Sequence, residues 1–238
     1  MKRPFSLSPR LQAVADLVSP GARLADVGTD HGRLPVWLIQ HGVIDRAVAS
    51  DLRQRPLDRA RALAARWELS ERISFRLCDG LSGISPQEAQ VVTIAGMGGE
   101  TIADILHAVS WTRQPGHTYI LQPMSGLDGL RRYLSGHGFV ICREVLVDEG
   151  GTLYVVLLAE PGQAPPLSEG EIWVGRQSAD MDSPLRGRYL DQECYKLQRA
   201  VIGLEQSARP EDTEKKKWYA LAAQEVAQMK KEWEAWQA

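Results

Sequence analysis

The chain has 238 residues, 44% of them hydrophobic and 24% charged, with a formal net charge of -2. That length and balance fit one sizeable α/β domain with a smaller appendage, and they are not those of a typical nucleic-acid binder, although local basic patches matter more than the sum. Cys78, Cys142 and Cys194 form no CxxC pair or His/Cys cluster, and no apolar run has signal-peptide or membrane length; a metal site, a disulfide framework and a membrane are therefore not expected, and a reducing, cytoplasmic setting is.

Ser8-Pro9 reads as a helix start, a serine cap before a first-turn proline, and Leu11, Val14, Ala15 and Val18 then share one face. Pro20-Gly21 ends that helix. Arg23 to Val27 reads as the first strand and Leu34 to His41 as the helix after it. Ala47 to Ser50 is a second strand ending at Asp51, followed by a helix from Pro56 to Trp67. Ile73 to Leu77 is a third strand, ending at Cys78-Asp79-Gly80. Val91 to Ala95 and Thr118 to Gln122 are the fourth and fifth, with helices from Glu100 to Val109 and Leu127 to His137.

Two apolar runs, Phe139 to Val147 and Leu153 to Ala159, are joined by Asp148-Glu149-Gly150-Gly151, a hairpin signal. Five βα units and a hairpin predict a largely parallel sheet with one reversed edge strand. Glu160 to Pro166, rich in proline, stops the sheet. Beyond it, Leu185, Tyr189, Leu190, Cys194, Leu197, Val201 and Leu204 recur at helical spacing. Arg209-Pro210 is a break, and a second helix from Asp212 to Trp236 sets Trp218, Leu221, Ala222, Val226, Met229 and Trp233 on one face. These two make an antiparallel helical hairpin, or short coiled coil. The expected division is residues 1–160 as an α/β, Rossmann-like domain and 161–238 as a helical one.

The chemistry gathers at strand ends. Asp26-Val27-Gly28-Thr29-Asp30-His31-Gly32 runs from a strand through a glycine turn into a helix, where an open α/β sheet seats a nucleotide-like cofactor. Its glycines do not have the GxGxxG spacing that cradles a pyrophosphate. Asp26 and Asp30 can hold the ammonium of an amino-acid tail; equally, Gly28 can merely turn the chain while Asp26 caps a helix. Asp51, roughly 20 residues after the glycine turn, stands where a carboxylate accepts from ribose hydroxyls, or where one caps the next helix. Asp79-Gly80 can face an adenine or form an ordinary turn.

Ala95-Gly96-Met97-Gly98-Gly99 reads as a second glycine turn, leaving backbone close to whatever lies above the fourth strand; Met97 can line a cofactor or pack the core. His31 reads as an anchor for backbone groups or as a base. Arg55, Arg59 and Arg66 share a helical face that can touch phosphates or simply be solvated, and Lys215-Lys216-Lys217 is preceded by acidic residues.

Taken together, Leu7-Ser8-Pro9-Arg10-Leu11, Ala25 to Pro35, Asp79-Gly80-Leu81, Ile94 to Gly99, Leu121-Gln122-Pro123 and the hairpin segment ending in Tyr154 resemble the bacterial TrmK family, the tRNA (adenine-22-N1)-methyltransferases. The resemblance is close over the first two-thirds and architectural in the tail. It implies a class I, Rossmann-like methyltransferase sheet with a C-terminal helical domain that helps hold tRNA, S-adenosylmethionine as cofactor, and tRNA as partner. It implies Gly28, Asp30, His31, Asp51, Asp79, Gly80, Ala95, Gly96 and Met97 around the cofactor. Arg10, Thr29 and Gly32 of the same segments, with Asp26, complete the expected site, and Asp30 is the expected catalytic residue. One departure stands out: after Gln122-Pro123 the family usually has asparagine, and this chain has Met124. A small-molecule methyltransferase and a non-catalytic cofactor-binding scaffold are the alternatives.

Overall fold

The computed structural model describes residues 5–181, 183–206, 209 and 212–237; Pro210 of the expected break lies outside them. Ser8 caps α1 (Pro9–Asp16), its Oγ accepting from the Leu11 N–H, as the Ser-Pro signal predicts. Then come β1 (Leu24–Val27), α2 (Arg33–Gln40), β2 (Ala47–Asp51), α3 (Gln54–Arg66), β3 (Ile73–Leu77), β4 (Val91–Gly98), α4 (Gly99–His107), β5 (Thr118–Ser125), α5 (Leu127–Gly136), β6 (Phe139–Glu149) and β7 (Thr152–Pro161). Every residue of β1 and β2 is buried, the mark of parallel strands covered on both faces.

One seven-stranded sheet results, in the order β3-β2-β1-β4-β5-β7-β6. The strand order reverses at β1/β4, the switch point where α/β sheets bind ligands. Two expectations need correction. The reversed strand, β7, is not at the edge: it pairs antiparallel with both β5 and β6, and β6 forms the edge. There are also four βα units rather than five, because only a 3-10 turn at Pro86–Glu88 separates β3 from β4.

A core lies on each face. Val14, Val18, Leu34, Leu38 and Ile39 pack α1 and α2 against one side. Ile102, Leu106, Leu130 and Leu134 bring α4 and α5 to the other, and that core continues without interruption into Val174, Leu190, Leu197, Val226 and Trp233 of the C-terminal helices. Those helices are α6 (Glu169–Val174), α7 (Arg186–Glu205) and α8 (Asp212–Gln237). Lys230 of α8 pairs with Asp191 of α7, and Trp233 lies against Gly187, so α7 and α8 run antiparallel as expected. On α8 the buried face is Ala222, Val226 and Trp233; Trp218 and Leu221, placed on it by spacing, are exposed. Helix α6 was not expected, although Ser168 and Glu171 form a capping box that announces it.

The buried Arg131 guanidinium of α5 ties the layers together. It grips Glu144 of β6 in two hydrogen bonds, Nε at 3.0 Å and Nη2 at 2.6 Å, and donates to the carbonyls of Ile172 and Trp173 at the end of α6. Burial alone would lower its pKa, but the Glu144 carboxylate and the Tyr189 hydroxyl together more than reverse this and hold the charge.

Candidate active site

At the carboxyl ends of β1–β5 lies a cavity of about 1010 Å³. Of the expected site residues, Arg10, Asp26, Gly28, Thr29, Asp30, His31, Asp51, Asp79, Gly80, Ala95, Gly96 and Met97 all line it. Gly32 does not: it starts α2 with its backbone against Ala60 of α3, where a β-carbon would lie 2.9 Å from the Ala60 side chain. Its role is to let two helices approach.

Asp26 is buried and caps no helix. Its two oxygens accept from Thr29 Oγ1 at 2.6 Å and Thr93 Oγ1 at 2.7 Å, which ties the turn after β1 to β4. Burial pushes its carboxyl up to about 6, against the opposing pull of the two hydroxyls. Gly28 has φ +68°, and a β-carbon there would lie 2.0 Å from Cε of Met97, so the Met97 thioether crosses from β4 onto the turn. Met97 thus both lines the cavity and packs against the core.

Asp30 holds a left-handed φ of 52°, uncommon for a residue with a side chain, and this presents its carboxylate at the cavity rim. His31 anchors no backbone group among the described residues. Its Nε2 instead lies 3.5 Å from Asp30 Oδ2 and 3.4 Å from Arg59 Nη1.

Asp51 at the end of β2 is buried; Oδ1 accepts from the Arg53 N–H at 2.9 Å, and among the described residues Oδ2 makes no hydrogen bond. The residue therefore shapes the entry to α3 and still offers an oxygen to the cavity. Gly80, at φ +52°, turns the chain after β3 beside Asp79, whose carbonyl accepts from Ser82.

The segment from Ala95 to Gly98 is not a turn but a bulged continuation of β4, with register shifts against β5 on both sides of Met97. Gly96 has φ +80° and its N–H reaches Gln122 Oε1 at 3.1 Å. The same oxygen accepts from Arg10 Nη1 at 2.8 Å. Arg10 is held from behind as well: its N–H donates to Glu149, its guanidinium stands over the Tyr154 ring, and it contacts Sδ of Met124. Thr93 and Gln122 were not picked out as site residues. A buried polar side chain ending an apolar run such as Tyr119-Ile120-Leu121-Gln122 is the signal that marks Gln122.

Five carboxylates line the cavity, those of Asp26, Asp30, Asp51, Asp79 and Asp104, against the arginines Arg10, Arg33 and Arg53. An acidic wall suits a ligand that carries cationic centres and ribose hydroxyls, and it repels a pyrophosphate. No group of His, Cys, Asp and Glu able to hold a metal is found among the described residues.

Residues 7–157 match the methyltransferase-domain family. Over 218 residues the chain is 32% identical to the tRNA (adenine(22)-N(1))-methyltransferase of Bacillus subtilis (strain 168), covering 90% of each chain. The crystal structure of the B. subtilis m1A22 tRNA methyltransferase TrmK superposes with a TM-score of 0.83 and 29% identity, over 94% of this chain and 99% of that one. The Streptococcus pneumoniae protein Sp1610, crystallised with S-adenosyl-L-methionine, does so with a TM-score of 0.79 and 32% identity, over 94% and 100%.

Proposed function

The chain belongs to the family of tRNA (adenine(22)-N(1))-methyltransferases, and on that premise we propose how its own residues carry the reaction. It is a methyltransferase that uses S-adenosylmethionine and modifies N1 of adenine 22 in tRNA. The observation that carries this reading is similarity along nearly the whole chain to an enzyme of that name, joined to a cavity whose donor set fits the cofactor.

When bound, S-adenosylmethionine supplies an electrophilic methyl group. Asp51 offers its free oxygen to the ribose hydroxyls. Asp79 and Gly80 border the adenine of the cofactor. The turn of Gly28 and Thr29, with Asp26 and Asp30 as its acids, receives the amino-acid end; His31 stands beside Asp30, and Arg10, held by Glu149 and Gln122, closes the opposite wall. Ala95, Gly96 and Met97 floor the space where the acceptor base approaches.

Adenine N1 attacks with its own lone pair, so no base is needed before the methyl moves; proximity and orientation supply most of the acceleration. The ring gains positive charge as N1 is alkylated. Asp30, exposed at the rim, accepts a hydrogen bond from the exocyclic amine and stabilises that charge, which the methylated ring keeps. The base leaves its stack to reach the cavity, and the exposed side chains of Leu52 and Met124 on its wall offer an apolar surface for it. Residues 1–160 are the catalytic part and 161–238 the accessory one, acting in the cytoplasm; among the described residues no helix is long and apolar enough to cross a membrane.

The test is transfer of labelled methyl from S-adenosylmethionine to unmodified tRNA transcripts with and without adenine 22. Label confined to transcripts with that adenine, and mapping to its N1, is expected. Cofactor binding with no label in any tRNA would transfer the reading to another acceptor.

A further inference from the structure

The resemblance assigns tRNA holding to the helical C-terminal part, but the distribution of charge points elsewhere. Residues 53–66 contain five arginines and one acid, Asp58. Helices α7 and α8 together contain nine basic and eight acidic residues, a near balance, and three of their six lysines are engaged within the hairpin: Lys196 on Glu193, Lys217 on Glu214, Lys230 on Asp191 and Glu234.

The arginines at the start of α3 are not there for stability. Helix N-termini favour acids, yet α3 has none in its first turn, and Arg53 stands at its N-cap without capping it. Arg55 and Arg59, one turn apart, repel each other. Asp58, the one carboxylate of the helix, is engaged by Arg61 at 3.2 Å and by Gln54. Arg55 is exposed and makes no hydrogen bond or ion pair among the described residues.

Their place matters as much as their charge. Arg53 lines the cavity with a side chain 79% exposed, its Nε no nearer than 4.0 Å to Asp51. Arg59 reaches His31 on the cavity wall. Arg33, also on the wall, is occupied: it donates to the Ser6 carbonyl and stands over Phe5. A cationic ridge, with one ion pair at 4.0 Å and no closer carboxylate contact among the described residues, thus begins at the cavity mouth and runs outward along α3.

We propose that this ridge, Arg53, Arg55 and Arg59, is where the phosphate backbone next to the target adenine docks, and that the helical hairpin is not the main phosphate contact. The inference rests on the tRNA reading above. Phosphate contacts release condensed counterions, so each contributes roughly 0.7–0.9 to the slope of log affinity against log salt. The backbone enters beside α3 and delivers the flipped base across Leu52 into the cavity.

Arg55 does not line the cavity, so it is the first to change. With S-adenosylmethionine saturating, Arg55→Glu should raise the KM for tRNA roughly 10-fold and flatten the salt slope of kcat/KM by about 1. Cofactor affinity and kcat at saturating tRNA should stay as in the wild type, and Arg55→Lys should recover most of the loss. Adding Arg59→Gln should flatten the slope further. Lys215→Glu with Lys217→Glu on α8 should change KM less than twofold. An unchanged KM and slope in Arg55→Glu, or a larger loss in the α8 variant, overturns the ridge. A wild-type protein that methylates no tRNA would sink the activity reading itself, a separate result from an active wild type with an indifferent Arg55.

Discussion

At the cavity, Asp51 keeps an oxygen that makes no hydrogen bond among the described residues, Asp30 sits at a left-handed φ of 52°, and Gly96 is pushed out of register with β5. Across α5, α6 and the α7–α8 hairpin the opposite holds: Arg131 is saturated by Glu144 and two helix-end carbonyls, Lys196 meets Glu193 one turn away, and Lys230 of α8 meets Asp191 of α7. The first region is left incomplete and is finished by a ligand. The second finishes itself and supplies stability. Substitutions should therefore divide cleanly, the first region costing activity and the second costing fold.

The largest effect should come from Arg131→Met. It leaves Glu144 uncompensated and strands the carbonyls of Ile172 and Trp173, a loss of about 3–5 kcal/mol. The melting temperature should fall by roughly 2–4 °C per kcal/mol, while kcat measured well below the transition stays near the wild-type value. A cold-temperature kcat that falls with the stability would break the comparison. Asp30→Asn, which tolerates the same left-handed backbone, should do the reverse, cutting kcat by about 10²–10³ with the melting curve unmoved, in line with removing one group aimed at charge that develops in the transition state. Normal turnover in that variant would confine Asp30 to a positioning role.

Asp51→Ala removes the acceptor for the ribose hydroxyls. Cofactor affinity should weaken by roughly 10- to 100-fold, in line with about 1.5–3 kcal/mol for hydrogen bonds to a charged group, and calorimetry would read this directly. The smallest effect is a pH dependence at Asp26. Its carboxyl, pushed up to about 6 by burial, keeps a proton in the folded protein that the unfolded chain releases near its ordinary value of 3.8. This group's contribution to stability therefore falls as pH rises between those values. A cationic ligand prefers the carboxylate, so cofactor affinity should strengthen as pH rises through about 6. Asp26→Asn should flatten that profile while keeping the Thr29 and Thr93 contacts; an identical profile in the variant would show that Asp26 does not sense the ligand.

Much of this was legible in the chain. The Ser8-Pro9 cap, the apolar runs of β1 and β2, the hairpin at Gly150-Gly151 and the acids at strand ends are local signals, each set by backbone preference or by periodicity, and the structure places them as expected. The role of Asp26 was not legible, because its partners are three and sixty-seven residues away and only the parallel pairing of β1 with β4 brings Thr93 within reach. The Ala95 to Gly98 segment looked like a turn because its glycines permit one; pairing with β5 made it a bulged strand instead.

By itself the sequence determined the alternation of strands and helices, the class of sheet and the positions of the acids, since periodicity and turn chemistry act over a few residues. Only the tertiary structure decided that Gly32 serves helix packing rather than the cavity, that Met97 covers Gly28, that Gln122 joins Arg10 to Gly96, and that Arg53 comes to the cavity mouth at the start of α3 while Lys230 of α8 meets Asp191 of α7. These are contacts between residues far apart in the chain, and no local preference encodes which distant partner a side chain will meet.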